Sequence, residues 1–146
     1  MTHLKHASVI GFLVAVASLV TLLFQDSLFA SDPFSILVQI LAGLLMIWAR
    51  WTFGRRSFHA RADPTEGGLV TSGPYRYLRH PIYAAVIYFT WTGVFTHLSV
   101  LHFFLAVVLT AGLAVRMFAE ERLVTLRYPE YADYAARTRR IIPFVL

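Results

Sequence analysis

From Ala7 to Phe24 about eighteen residues pass without a charged side chain, and no other feature narrows the possible folds of this chain so far. A helix of that length is close to the minimum needed to cross a hydrocarbon core of roughly 30 Å. Phe34 to Ala49 is a second such run, closed by Arg50, and Pro81 to Phe95 and Leu98 to Ala114 supply two more. Thr96 and His97 alone separate the last two, which predicts a tight helical hairpin. Segments so few and so apolar satisfy their backbone in a bilayer only as helices. The predicted fold is therefore an all-α integral membrane protein, a single domain over 1–146. About four transmembrane helices are expected, near 7–24, 34–50, 81–96 and 98–118. A middle loop over 51–80 and a C-terminal amphipathic helix over 128–140 complete it. A cleaved signal peptide is the alternative for the first run, but the run is longer than a typical signal core.

The composition agrees. Hydrophobic residues make up 58% of the 146 and charged residues only 14%, against roughly a quarter charged in a soluble domain. With no cysteine, disulfides, thiolate metal sites and cysteine nucleophiles are excluded, and no metal site is expected. The net charge of +5 does not suggest nucleic acid, because the basic residues flank apolar runs.

Their distribution predicts orientation. Lys5 precedes the first span. Arg50, Arg55, Arg56, Arg61, Arg76 and Arg79 lie between the second and third. Arg116, Arg122, Arg127, Arg137, Arg139 and Arg140 end or follow the fourth. The two other connections carry no basic residue. The positive-inside rule puts both termini and the middle loop in the cytoplasm. Every candidate reactive residue then falls on one side of the membrane.

Those residues cluster in two places. Thr65 to Tyr83 reads TEGGLVTSGPYRYLRHPIY. Gly67, Gly68, Gly73 and Pro74 mark turns, and Pro81 suits the first position of the third helix. His80 then stands at the helix mouth, where the dipole favours an electron-rich group. The plainer reading makes Arg76 and Arg79 interfacial anchors and Tyr75, Tyr77 and Tyr83 an aromatic belt. The glycines do not form a dinucleotide-binding pattern.

The second place is the end of the fourth span. Glu120 and Glu121 are adjacent carboxylates at a membrane boundary, where ionisable groups pair or carry function. Arg116 is four residues before Glu120 and suited to pair with it; Glu121 has no upstream partner at that spacing. Beyond Tyr128-Pro129-Glu130 the tail places Tyr131, Tyr134 and Thr138 near one face, with Asp133 and Arg137 as an i, i+4 pair. A tail lying on the bilayer with its arginines toward lipid phosphate explains Arg139 and Arg140 well and the tyrosines less well.

Together, RHPIYAA at Arg79 to Ala85 and EERLVTLRYPEYADYAARTRRIIPF from Glu120 to Phe144 resemble the C-terminal signature of isoprenylcysteine carboxyl methyltransferases. The likeness runs from Gly68 to Pro143, about half the chain. Phospholipid N-methyltransferases are similar more loosely, through the arginine-rich loop and the paired glutamates. The resemblance implies a cofactor pocket for S-adenosyl-L-methionine at the cytoplasmic face, closed by the tail helix. His80, Pro81, Tyr83, Glu120, Glu121, Tyr131 and Tyr134 would bind the cofactor, with Arg137, Glu120 and His80 at the chemistry. Where that family often has glycine shortly after the tyrosine of the first element, this chain has Ala84 and Ala85. The eukaryotic enzymes have more N-terminal spans, so a compact prokaryotic relative is expected, in a bacterial or archaeal membrane.

The chemistry fits the residue types. A carboxylate can bind the cofactor's amino group, tyrosine faces can hold a methylsulfonium, and Arg137 can take a carboxylate. The expected acceptor is lipophilic, enters from the bilayer and presents a carboxylate; a phospholipid amine or a thiol is the alternative. Two readings of other classes stand beside it: a membrane scaffold whose tail only touches lipid, and a nicotinamide-dependent membrane reductase of similar helical architecture. The paired glutamates and the RHPxY element favour the methyl donor.

Overall fold

A computed structural model describes residues 2–54 and 68–143 of the chain. The expectations for Arg55, Arg56, Arg61 and Gly67 in the middle loop lie outside the described residues. Among those described, the chain forms five α-helices: α1 (Thr2–Phe24), α2 (Pro33–Phe53), α3 (Pro81–Thr96), α4 (Val100–Arg127) and α5 (Tyr131–Arg137), with a 3₁₀ turn at Gly73–Arg76. The one bridge among these residues is an isolated parallel pairing of Leu78 with Arg139.

Three of the four expected spans, α1, α2 and α4, are long and apolar enough to cross a membrane. Their outward faces carry Ile10, Leu13, Leu37, Ile40, Leu44 and Phe104, all exposed, as an integral membrane protein requires when lipid replaces water. The third, α3, has 16 residues and a length of about 24 Å at 1.5 Å per residue, short of the hydrocarbon core. It is also the most enclosed of the four. Pro81, Ala84, Ala85, Ile87, Thr90, Gly93 and Val94 are buried along it, so neighbouring helices rather than lipid set its length.

Local signals fix the ends. Asp32 caps α2 by accepting the Ser35 N–H at 3.0 Å, with Pro33 at the first position. Ser99 caps α4 by accepting from the His102 N–H at 3.1 Å. The fourth helix runs to Arg127, about two turns past its expected end at 118. Ala119 and Leu123 near its end are buried, so the added turns stay packed against the protein.

α1 packs along α4, and α2 along α3. Buried residues on α1 are Ser8, Gly11, Ala15, Ser18 and Leu22, a stripe at alternating spacings of three and four. Ala15 meets Leu109, and Leu22 clusters with Ala106, so the two helices run antiparallel. They approach most closely at two glycines. A Cβ on Gly11 would lie 2.5 Å from the Gly112 carbonyl oxygen, and one on Gly112 would lie 2.6 Å from that of Gly11. Small residues allow this approach where lipid supplies no hydrophobic drive between helices. Gly43, by contrast, faces open space.

Gln39 joins α2 to its surroundings. Its Nε2 donates to the carbonyls of Leu28 (2.8 Å) and Phe89 (2.9 Å), and its Oε1 accepts the Ala30 N–H at 2.9 Å. One buried amide thereby satisfies three backbone groups of the α1–α2 connection and α3.

The tail differs most from expectation. Instead of a helix over 128–140, α5 covers only Tyr131–Arg137, with Pro129 in the turn before it. Thr138 turns extended (φ −123°, ψ 164°), and the chain pairs with the segment before α3. The Arg139 N–H donates to the Tyr77 carbonyl (3.0 Å), Arg79 N–H to Arg139 (2.6 Å) and His80 N–H to Arg140 (3.0 Å). These inter-segment bonds replace the helical bonds that residues 138–140 would otherwise make.

Gly112→Ala is expected to lower the midpoint of thermal unfolding in detergent by overpacking against backbone, at a cost of about 1–3 kcal/mol. Gly43→Ala should leave it unchanged or raise it, since open space meets the new methyl and alanine favours helix.

Candidate functional site

The acidic pair ends up where three elements converge: the last turns of α4, the segment from Tyr75 to Tyr83, and the tail. Each carboxylate has its own partners. Glu120 Oε1 accepts from the Tyr83 hydroxyl at 2.6 Å and from Arg116 Nε at 3.0 Å. Arg116 Nε also donates to the Tyr83 oxygen at 2.6 Å. Glu121 Oε1 accepts from Arg79 Nε at 2.9 Å and lies 3.2 Å from His80 Nε2. Its Oε2 accepts from Arg140 Nε (3.2 Å) and Nη2 (3.0 Å).

His80 bridges the pair. Its ring stacks on Tyr83 with centroids 5.5 Å apart and planes 16° from parallel. Nδ1 faces Glu120 Oε2 at 3.8 Å, beyond hydrogen-bond reach. When Nε2–H donates to Glu121, the neutral ring turns a lone pair toward that carboxylate oxygen. Two acceptors then face one gap, an arrangement suited to an N–H cation.

Arg116 is almost fully buried, at 5% exposure. Its guanidinium lies 4.9 Å from the Phe12 ring centroid and 6.0 Å from that of Tyr83. An unneutralised guanidinium there would be costly; Glu120 one turn on, with the aromatic faces, makes it tenable. The expected i, i+4 pair of Arg116 and Glu120 is formed.

The tail tyrosines pack inward as their spacing predicts. Tyr131 and Tyr134 are buried, and the Tyr134 hydroxyl donates to the Tyr75 carbonyl at 2.7 Å. Burial pushes the phenol of Tyr134 up to about 12 from 10.0. It raises those of Tyr75 and Tyr131 too, with the nearby Tyr134 and Glu121 charges, respectively, next in effect.

Of the expected site residues, His80, Pro81, Tyr83, Glu120, Glu121, Tyr131 and Tyr134 come together. Arg137 does not. It is exposed, and its Nε donates to the Asp133 carbonyl at 3.1 Å instead of pairing with that residue's carboxylate. A seven-residue helix turns only about two faces inward, and Tyr131, Tyr134 and Thr138 occupy them.

Among the described residues, the guanidiniums that do reach the carboxylates are those of Arg79, Arg116 and Arg140. Arg79, expected as an interfacial anchor, has a side chain only 9% exposed. Tyr75, expected in an aromatic belt, is buried against Phe53 with ring centroids 5.3 Å apart. Arg76 and Tyr77 do stay exposed. The 3₁₀ turn that carries Tyr75 rests on α2 through Gly73 (φ +56°), where a Cβ would lie 2.5 Å from Thr52 Oγ1. Two carboxylates beside a run of arginines was the signal available in the sequence for Arg79 and Arg140.

Glu120 Oε2 and His80 Nδ1 can receive an ammonium such as that of S-adenosyl-L-methionine.

A family model described as phospholipid methyltransferase matches residues 31–131, from the α1–α2 connection to the first residue of α5. No curated protein and no solved structure gives a match.

Two outcomes test the geometry. Arg116→Met leaves Glu120 without its arginine and is expected to destabilise by about 3–5 kcal/mol. In a Glu120→Gln background the cost should shrink, which a double-mutant cycle of unfolding in detergent would read. Tyr134 has a raised folded pKa, so its contribution is full below pH 10 and lost as pH rises toward 12. Tyr134→Phe should flatten that part of the alkaline unfolding profile.

Proposed function

This chain belongs to the phospholipid methyltransferase family, and from that premise we propose that it methylates the carboxylate of a lipophilic, isoprenylcysteine-like acceptor, with S-adenosyl-L-methionine as donor. That it is a membrane methyltransferase follows from the family and the apolar helices; the donor and acceptor are our reading. The observation that carries it is the convergence of His80, Tyr83 and Glu120, where His80 Nδ1 and Glu120 Oε2 face one another at 3.8 Å.

The donor supplies a methyl carbon on a cationic sulfur and leaves as S-adenosyl-L-homocysteine. The chain's part is binding and alignment. Glu120 receives the amino group through Oε2 while Arg116 and Tyr83 fix its other oxygen. Such charge-assisted bonds are about twice as strong as neutral ones. Holding nucleophile, methyl carbon and sulfur in line is the catalytic task, and positioning of this kind lowers barriers by several kcal/mol.

Two features favour a carboxylate acceptor. Among the described residues, three guanidiniums surround two carboxylates, which leaves a surplus of positive charge for an anion. The groups best suited as a general base are already engaged, His80 with Glu121 and Glu121 with Arg79 and Arg140, and a carboxylate is already ionised at neutral pH. A phospholipid amine is the second reading, favoured by the family's description. The basic residues of the loop and tail support a cytoplasmic site under the positive-inside rule, and on this reading the acceptor arrives from the bilayer.

Titration calorimetry of S-adenosyl-L-methionine and S-adenosyl-L-homocysteine into the detergent-solubilised protein is the direct test. We expect saturable binding that Glu120→Gln weakens about tenfold or more, the size of a charged hydrogen bond. With labelled donor, a farnesylated thiol acid should yield a base-labile methyl ester. Label on phosphatidylethanolamine instead would move the acceptor to the amine. A folded protein that binds neither cofactor form would overturn the reading.

A further inference from the structure

The two adjacent glutamates differ in what they leave open. Glu121 receives four donors on its two oxygens, from Arg79, His80 and both Nε and Nη2 of Arg140. Glu120 has its Oε1 occupied by Arg116 and Tyr83, while Oε2 faces His80 Nδ1 at 3.8 Å, beyond hydrogen-bond reach. A saturated carboxylate has no lone pair left to offer a ligand.

Its partners also differ. Arg116 and Tyr83 belong to the helices. Arg140 belongs to the tail, and Arg79 grips the tail twice more. Arg79 Nη1 donates to the carbonyls of Ala135 (2.8 Å) and Thr138 (2.7 Å), satisfying carbonyls at the end of α5 with a cation. Its backbone N–H donates to the Arg139 carbonyl. The Tyr88 hydroxyl donates to the Ile141 carbonyl. Arg140 is also held over the Phe118 ring at 5.1 Å.

We infer that Glu121 is a positioning residue, the counter-ion that clasps the tail to α4 and to the loop through Arg140 and Arg79, and that Glu120 alone of the pair receives ligand. The clasp holds Tyr131 and Tyr134 in their buried positions, with the Tyr134 hydroxyl on the Tyr75 carbonyl. The assignment rests on the methyltransferase reading only in naming the ligand of Glu120 as the cofactor; the fastening does not depend on it. The sequence treats the two glutamates as equivalents. The geometry divides them because they lie about 100° apart on α4, one toward Tyr83 and Arg116 and the other toward the tail.

The test is hydrogen exchange in detergent with no cofactor or acceptor present. The amides of Arg79, His80 and Arg139 report the tail pairing directly, and those of Leu109 and Leu113 report the helical core. Glu121→Gln and Arg140→Met should speed exchange at the three tail-pairing amides by about tenfold or more, with the core amides unchanged. Arg140→Lys should restore part of the protection. Glu120→Gln should leave the tail amides within about twofold of the parent. Unchanged tail protection in Arg140→Met, or equal loss in Glu120→Gln, would overturn the inference. If Glu121→Gln fails to fold, Arg140→Met carries the test alone, since Arg140 sits at the rim with its side chain 36% exposed. Because no ligand is added, failure of the cofactor reading in calorimetry and failure of the clasp in exchange are separate results.

Discussion

Charge neutralisation at the end of α4 is the constraint around which the other elements arrange themselves. Among the described residues, two carboxylates and three guanidiniums, with His80 between the carboxylates, are packed together at the C-terminal end of α4. A charge there without its partner would cost several kcal/mol. The partners come from four separate stretches of chain, so satisfying the charges requires α3, α4, the loop before α3 and the tail to meet. The Gly11–Gly112 approach settles how α1 lies on α4, and through Phe12 it extends to Arg116. Membrane packing and site assembly are thus linked at a single guanidinium.

The division of labour among the helices follows from what each one faces. α1, α2 and α4 expose apolar side chains and have the length that a bilayer demands. α3 is enclosed and short, and it starts at the site. Its Pro81 leaves no N–H to satisfy, and His80 just before it gives its own N–H to the tail. On the proposed reading, this arrangement would set a polar donor site beside lipid-facing helices from which the apolar part of an acceptor would enter.

Much of this was legible in the sequence. Uncharged runs gave the helices, Pro81 marked the start of α3, and the i, i+4 spacing of Arg116 and Glu120 gave an ion pair that the fold contains. The inward tyrosines followed from spacing, and the RHPxY element with the paired glutamates gave the family group. The illegible parts depend on long-range pairing. Tyr77 to His80 and Thr138 to Ile141 are too short to read as strands, and they meet only after α3 and α4 have folded back. For the same reason Arg79 and Arg140 looked like lipid-facing cations; nothing local distinguishes an arginine that meets phosphate from one that meets a distant glutamate. Arg137 showed the opposite error, a charge in a suggestive motif that its short helix turns outward.

The family match begins at residue 31 and stops at residue 131, yet the structure carries contacts to the site from both unmatched sides. Phe12 of α1 covers Arg116, the partner of Glu120, and Arg140 in the tail holds Glu121. Mutational drift in either flank can therefore retune one carboxylate while the matched middle stays intact. The chain has two peripheral handles on a common chemical centre, one for each glutamate, and a lineage can turn them separately.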